Sequence, residues 1–424
     1  MKKIFLLSAI LLTFSFTFTA CSSDDDPIDT NGGTGGGGNN GGGTEVPTSP
    51  EFNNDGSWTD GTIGVFEAAL DIDATATGAD ESQFEFRTIA SGGTTVLPTD
   101  FTATQMLTGV ITTDVTLDAN EIYEIVGAVF VRDGGSLTIP AGTFLFADPS
   151  NNAQVSGDVT AADAIIVNQG GILNSNGEAG NPVIFSSSTQ TAGSWGGIVL
   201  LGNAPINLVG GEGNAEIADN VGEDLPYGGS DASDSSGSLT YTIIAYPGTQ
   251  VNTEAEFNGF SFYAVGNGTT LNGLEVFQGQ DDGYEWFGGT VNATNLYAQA
   301  FDDSFDWTEG FVGTLDNIIA DQPSGADHCI EADNLNADNN ASPRSNPTVM
   351  NATFNCSGDD DAVRIRRGTA IQLSNAMFNI SGSDRFHFEV DDIATAEQIF
   401  DGVTTFTNIA LDGGNPEFTG NANN

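Results

Sequence analysis

A repeat of about 22 residues constrains this chain more than any other feature, since such a period is the signature of a stacked solenoid. Five segments superpose: 270–289, 290–310, 314–333, 348–368 and 372–391. Each opens with an apolar residue beside Asn, Asp or Ser, followed by a short apolar strand. A turn ending in aspartate comes next, then a second alternating strand. The turn aspartates are Asp282, Asp303, Asp327, Asp361 and Asp384, spaced 21, 24, 34 and 23 apart. The long spacing holds a loop-rich insertion, NLNADNNASPRSNP. Nothing in the segments has helical periodicity, and the fixed Leu/Asn pattern of leucine-rich repeats is absent. Weaker copies extend upstream to residue 109, giving about ten coils stacked at roughly 4.8 Å, a rod of about 45–50 Å. The expected fold is therefore all-β, a parallel β-helix over 109–391 with small end caps. Residues 51–108 are expected to cover the N-terminal end and 392–424 the other, because open strand edges must be covered. The polar stretch 211–238 reads as a side loop.

Charge limits the partners. The chain carries 58 Asp and Glu against 9 Lys and Arg, a net charge of −49. Phosphate backbones need a basic footprint, so nucleic acid is disfavoured. The only lysines are Lys2 and Lys3, which removes a P-loop and any catalytic lysine from the repeat. With 28 Phe there is material for a large core, and 55 Gly suit a fold of many turns.

Residues 1–20 have a charged start, the apolar run IFLLSAILLTF and small residues before Cys21. That is the pattern of a secretory signal, too short to span a membrane. The run FTFTAC resembles a bacterial lipobox, in which Cys21 becomes the acylated first residue. After it, SSDDD resembles the export tag of Bacteroidota surface lipoproteins. Residues 31–44, NGGTGGGGNNGGGT, complete a tether spanning 21–50. The expected location is the outer membrane, lipid-anchored and facing outward. An exported chain permits a disulfide between Cys329 and Cys356, which lie on neighbouring coils but in different columns of the repeat.

Three motifs carry a wider resemblance: WGGIVLLGNAPIN (195–207), DDGYEWFGGTVNA (281–293) and DDSFDWTEGF (302–311). They resemble a family of Bacteroidota surface β-helix proteins without a settled biochemical function. More distantly, the fold resembles the right-handed β-helix of pectin-lyase-like enzymes. Fold alone does not carry activity.

Alternation after each turn aspartate sorts the side chains. Tyr284, Phe305, Cys329, Val363 and Phe386 form one expected inward column, and Trp286, Trp307, Glu331, Ile365 and Phe388 a second. The opposite face reads Glu285, Asp306, Ile330, Arg364 and His387, flanked by Ser304, His328, Arg366, Arg385 and Glu389. One flank thus runs from acidic to basic. Its arginines either neutralise nearby carboxylates or dock an anionic ligand such as an acidic glycan. Glu285, Asp306, His328, Arg364, Arg366, Arg385 and His387 are the candidate binding residues. Stacked aspartates repel and need relief, either from backbone N–H groups in Asx turns or from Ca²⁺ held by Asp281, Asp282, Asp302, Asp303 and Asp306. No GxSxG, CxxC or HExxH motif occurs. Three functions fit. The first is a surface lipoprotein binding glycan or a protein partner. The second is a lyase of acidic polysaccharide in which Arg364 or Arg366 abstracts the proton, the third an accessory subunit of an uptake complex.

Overall fold

The computed structural model describes residues 46–85, 97–151, 154–156, 159–160, 162–251, 255–382, 385–414 and 417–423. The signal segment, Cys21, residues 22–45 and Asp384 lie outside them. The fold is a right-handed parallel β-helix. Apart from two small antiparallel hairpins, its strands join one 24-stranded sheet system with parallel pairing throughout.

Two runs of strands carry the stack. The short run passes in parallel register from 128–131 through 164–167, Ile198–Leu201, Phe260–Tyr263, Tyr284–Phe287, Phe305–Thr308, Ile330–Ala332, Val363–Ile365 and Phe388–Val390 to Phe418–Thr419. The long run, from Gly237–Ala245 to Thr405–Gly413, turns a corner inside each strand. The corner residue takes positive φ: Tyr241, Gly273, Asn295, Asn317, Asn351, Asn375 and Asn408. Asparagine is among the few non-glycine residues that tolerate that region. Stacking puts its amide to further use: Asn317 Nδ2 donates to Asn295 Oδ1 at 2.6 Å, and Asn375 Nδ2 to Asn351 Oδ1 at 2.8 Å.

Inside the helix the aromatic side chains stack as the strands do. Phe260, Tyr284 and Phe305 lie face to face with centroids 5.4 Å apart at each step. The Tyr284 hydroxyl is buried and sits 2.6 Å from the Leu274 carbonyl. The inward columns differ from expectation in two coils. Ile330 and Phe388, not Cys329 and Phe386, continue the Tyr284 column. Ala332, not Glu331, pairs with Trp307. Cys329 and Cys356, both buried, form a disulfide with Cα atoms 6.2 Å apart.

The first and last described segments pack at the same pole. Residues 51–72 do not cover the N-terminal end. Helix Asp60–Ala69 docks beside helix Ile393–Phe400, and Leu70–Ile72 adds a parallel strand to Thr405–Gly413. Trp58 explains the preference: its indole donates to the Val390 carbonyl at 2.7 Å, and its ring meets Phe66 edge-on. Phe66 in turn meets Phe400 and Phe418, so the last coil offers this helix an apolar seat. From Asp73 the chain runs back along the outside of the rod as a strap. Its backbone N–H groups bond to the corner residues: Thr77 to Asn375, Asp80 to Asn317. Phe84 closes over Tyr297 and Ile319.

The insertion after residue 206 is not a bare side loop. Ala215, Ile217, Ala218, Leu225 and Tyr227 join Val251, Ala255 and Phe257 in a second apolar cluster. It covers Ile166, Val199, Leu201, Tyr263 and Phe287, which point outward from the short run. Two apolar faces, one inside the coil and one under this lid, explain why strands such as Ile198–Leu201 are apolar at every position.

Candidate functional site

One outward column of the short run changes chemistry along its length. It reads Phe130, Ile166, Val199, Ser261, Glu285, Asp306, Glu331, Arg364, Glu389 and Thr419, each paired with the next. The first three lie under the lid. The acids begin where the lid ends, and the arginine follows. Glu331 and Glu389 occupy the positions expected for Ile330 and His387.

Each arginine at that end faces a carboxylate of the protein itself. Arg364 lies 3.3 Å from Glu389 and 3.2 Å from Asp391. Arg366 is buried, with Glu331 at 2.6 Å and Asp333 at 2.9 Å. Arg367 meets Asp333 at 2.7 Å, and Arg385 stands 3.8 Å from Asp359. A guanidinium held by two carboxylates is stabilised in its charged form. Arg364 and Arg366 therefore lack the surroundings of a proton-abstracting base, and the expected anion-docking flank is occupied by the protein's own acids. His387 is buried against Phe378 and does not face that flank.

The corner before the short run carries the repeat's aspartates. Asp282 Oδ1 accepts from the Asp303 N–H at 3.0 Å, and Asp303 Oδ1 from the His328 N–H at 2.6 Å. Asp361 Oδ1 likewise accepts from the Phe386 N–H at 2.7 Å. These bonds run from coil to coil and not within a local Asx turn, one of the two forms of relief the sequence allowed. His328, not Asp327, holds the third place in the column. Its Nδ1 lies 3.1 Å from Asp303 Oδ1, and the ring is almost wholly buried. Burial opposes the imidazolium, but Asp303, Glu331 and Asp327 outweigh it and push the histidine up to about 10. His328 is a charged partner for the aspartate corner, not a surface binding residue.

Above it the acids lack any such partner. Asp281, Asp282 and Asp302 bring carboxylate oxygens within 4.8 Å of one another, and so do Asp282, Glu285 and Asp306. The two groups share Asp282. Asp303 turns instead to His328, and Glu285 takes its place in the set. Burial raises Asp282, Glu285, Asp302 and Asp306 well above the usual carboxylate range, and neighbouring carboxylates add to it. Asp281 is pushed up to about 8, by burial and then by Glu256. Asp306 Oδ1 is buried without a hydrogen-bond partner.

The lid and its neighbouring loop supply residues that the repeat could not reveal. Tyr263 Oη donates to Glu216 Oε1 at 3.3 Å, and Tyr227 Oη to Glu309 Oε2 at 2.9 Å. Burial pushes Glu216 up to about 8, with Asp281, Glu256 and Glu309 adding to it. Buried Asn258 donates from Nδ2 to Glu285 Oε2 at 2.6 Å. Glu216 lies in an insertion with no repeat partner, so spacing carried no signal for it.

Chemically, the cluster is a set of hard oxygen donors that burial and mutual repulsion drive toward their protonated forms, and that a bound cation would hold ionised instead. A cation bound by oxygens at about 2.3–2.6 Å places opposite ligands about 4.6–5.2 Å apart, which is the scale of these groups.

No curated protein and no solved structure matches the chain. The family model described as a pectate-lyase-like β-helix domain matches residues 109–423. That span takes in every strand of the short run, and the chain belongs to the pectate-lyase-like β-helix domain family.

Proposed function

We propose that this is an exported protein, lipid-anchored through Cys21 at the outer-membrane surface, whose β-helix binds Ca²⁺ and through it an acidic polysaccharide. The ion would be held by Asp281, Asp282 and Asp302 or by Asp282, Glu285 and Asp306. One observation carries the reading: among the described residues, none of these five carboxylates is ion-paired to a base. Every arginine on the flank is already engaged further down the rod. Like charges this close need a counter-charge, and carboxylate oxygens suit a hard cation. A uronic-acid glycan meets repulsion on so acidic a surface unless a cation bridges the two. The lipobox-like run and acidic tag support the address.

Calcium titration by calorimetry, with melting curves in calcium and in chelator, tests the ion site. Saturating calcium at about 100 times its Kd should stabilise the fold by about 2.7 kcal/mol. Asp306→Asn should weaken calcium binding by about tenfold or more while leaving the metal-free protein about as stable, since the amide replaces a carboxyl that burial already favours in its neutral form. Identical melting curves with calcium and chelator would remove the ion site. Binding to polyuronate that is unchanged by chelator would remove the bridge.

A further inference from the structure

The corner column changes donor type once. Asp282 and Asp303 hold it in successive coils and His328 in the next, so a ring nitrogen enters a row of oxygens. Three carboxylates converge on that nitrogen. From His328 Nδ1, Asp303 Oδ1 lies at 3.1 Å, Glu331 Oε1 at 3.9 Å and Asp327 Oδ2 at 4.0 Å. An Nδ1–H serves one acceptor, and Asp303 is the one within reach. The other two oxygens stand beyond hydrogen-bond distance. The His328 side chain is only 1% exposed, and its Nε2 has no hydrogen-bond partner among the described residues.

We propose that Asp303, Asp327, His328 and Glu331 form a second cation site, which takes a first-row transition ion of the Zn²⁺ type through His328 Nδ1 and carboxylate oxygens. The set shares no residue with the two calcium groups and does not rest on them. Nitrogen decides the class of ion. Ca²⁺ gathers about six to eight oxygens at about 2.3–2.6 Å, whereas imidazole combined with carboxylates suits Zn²⁺ and its neighbours. In a tetrahedral site with bonds of about 2.0–2.2 Å, any two ligands stand about 3.3–3.6 Å apart. The three separations from Nδ1 bracket that range, so small side-chain rotations seat the ion.

Charge favours a dication there over a proton. Arg366 is the counter-charge of Glu331, 2.6 Å from its Oε2, while Asp303 and Asp327 share the single charge of the ring. A dication on Nδ1 neutralises both acids and returns the ring to its neutral form, in which an unanswered N–H costs less than on a charged ring. Outer contacts already orient the ligands, as metal sites require. The His328 N–H donates to Asp303 Oδ1 at 2.6 Å, Arg366 holds Glu331 by the oxygen turned away from the ring, and the Cys329–Cys356 disulfide pins the neighbouring residue. Asp327, with its side chain 23% exposed, is the way in from solvent.

Zinc titrated by calorimetry into the full chain, with calcium in excess throughout, tests the site. One equivalent of zinc should bind with an affinity that does not change with calcium concentration. Cobalt in its place should show the visible bands of an imidazole-bound ion. The His328 ring resonances, identified by their loss in His328→Gln, should shift as zinc is added. His328→Gln and Asp327→Asn should each weaken zinc by about tenfold or more, at least the loss that outer partners of a metal site incur. Asp327→Asn changes the most exposed ligand and decides the matter if the histidine variant does not fold. Absence of zinc binding, zinc that calcium displaces, an affinity unchanged in Asp327→Asn, or His328 resonances unmoved at saturation overturns the proposal. Calcium titrated alone reads the other site separately. If calcium does not bind, the calcium reading fails, and the His328 resonances and Asp327→Asn still decide this one.

Discussion

At Asp163 a single carboxylate is held almost wholly out of water; Oδ1 accepts from the Gly127 N–H at 2.7 Å while Oδ2 has no partner. Burial is the main cause of its shift, with Glu124 and Asp148 adding to it, and together they push it up to about 7. The unfolded chain would release that proton near pH 4. The folded state therefore binds more protons than the unfolded state between about pH 4 and 7. The advantage of the neutral form is present below that window and is lost as pH rises through about 7. Asp163→Asn should abolish this component. Between pH 5 and 8 the parent chain should lose about 1–3 kcal/mol more than the variant, read from denaturant unfolding at the two pH values. His328 acts in the same direction, at higher pH. Its raised value means that stability from the imidazolium is full below about pH 6.5 and is lost as pH rises toward about 10. Asp303→Asn removes the chief cause, and the His328 ring should then titrate at lower pH. Only two histidines occur, so proton NMR can follow each. An unmoved His328 resonance would show that Asp303 does not set its charge.

The strap is an element with one apolar anchor. Phe84 is buried against Tyr297 and Ile319, and the rest of the strap is held by polar bonds to corner residues. Phe84→Ala should cost up to about 3–5 kcal/mol of local stability and open residues 73–85 to protease while the coils stay intact. Cleavage that spreads equally through the coils would mean that the strap is not a separate unit. Nothing in the sequence announced it, because a segment crossing the coils at right angles has no reason to share their period. The coils themselves were legible. Tyr284 and Phe305, Trp286 and Trp307, Glu285 and Asp306 pair as spacing predicts. Register failed where the corner residue is not aspartate. Alignment on Asp327 and Asp384 displaced the next strands by one and two residues, since His328 and Phe386 hold those corners. A one-residue slip exchanges the two faces of a strand. That is why Glu331 was assigned to the core and Ile330 to the surface. Asn295, Asn317, Asn351 and Asn375 lie near the start of their repeats in the sequence. Their positive-φ corner was not legible there, because the same residue also suits ordinary turns.

At the scale of the whole molecule, residues 58–66 close the last coil. Trp58 and Phe66 rest on Val390, Phe400 and Phe418, more than 300 positions downstream. A solenoid grows by adding each coil to its neighbour. This seat does not exist until the C-terminal coils have formed, so the N-terminal helix must dock after them. Contacts made that late contribute little to the folding barrier and appear in the unfolding rate. Trp58→Ala should therefore destabilise by about 3–5 kcal/mol, mainly by speeding unfolding, with the refolding rate changed by less than about twofold. Stopped-flow fluorescence from the remaining tryptophans, which lie inside the coils, measures both limbs. A refolding rate that falls in proportion to the lost stability would place cap docking in the nucleus, and the two ends of the chain would then have to meet before the rod between them exists.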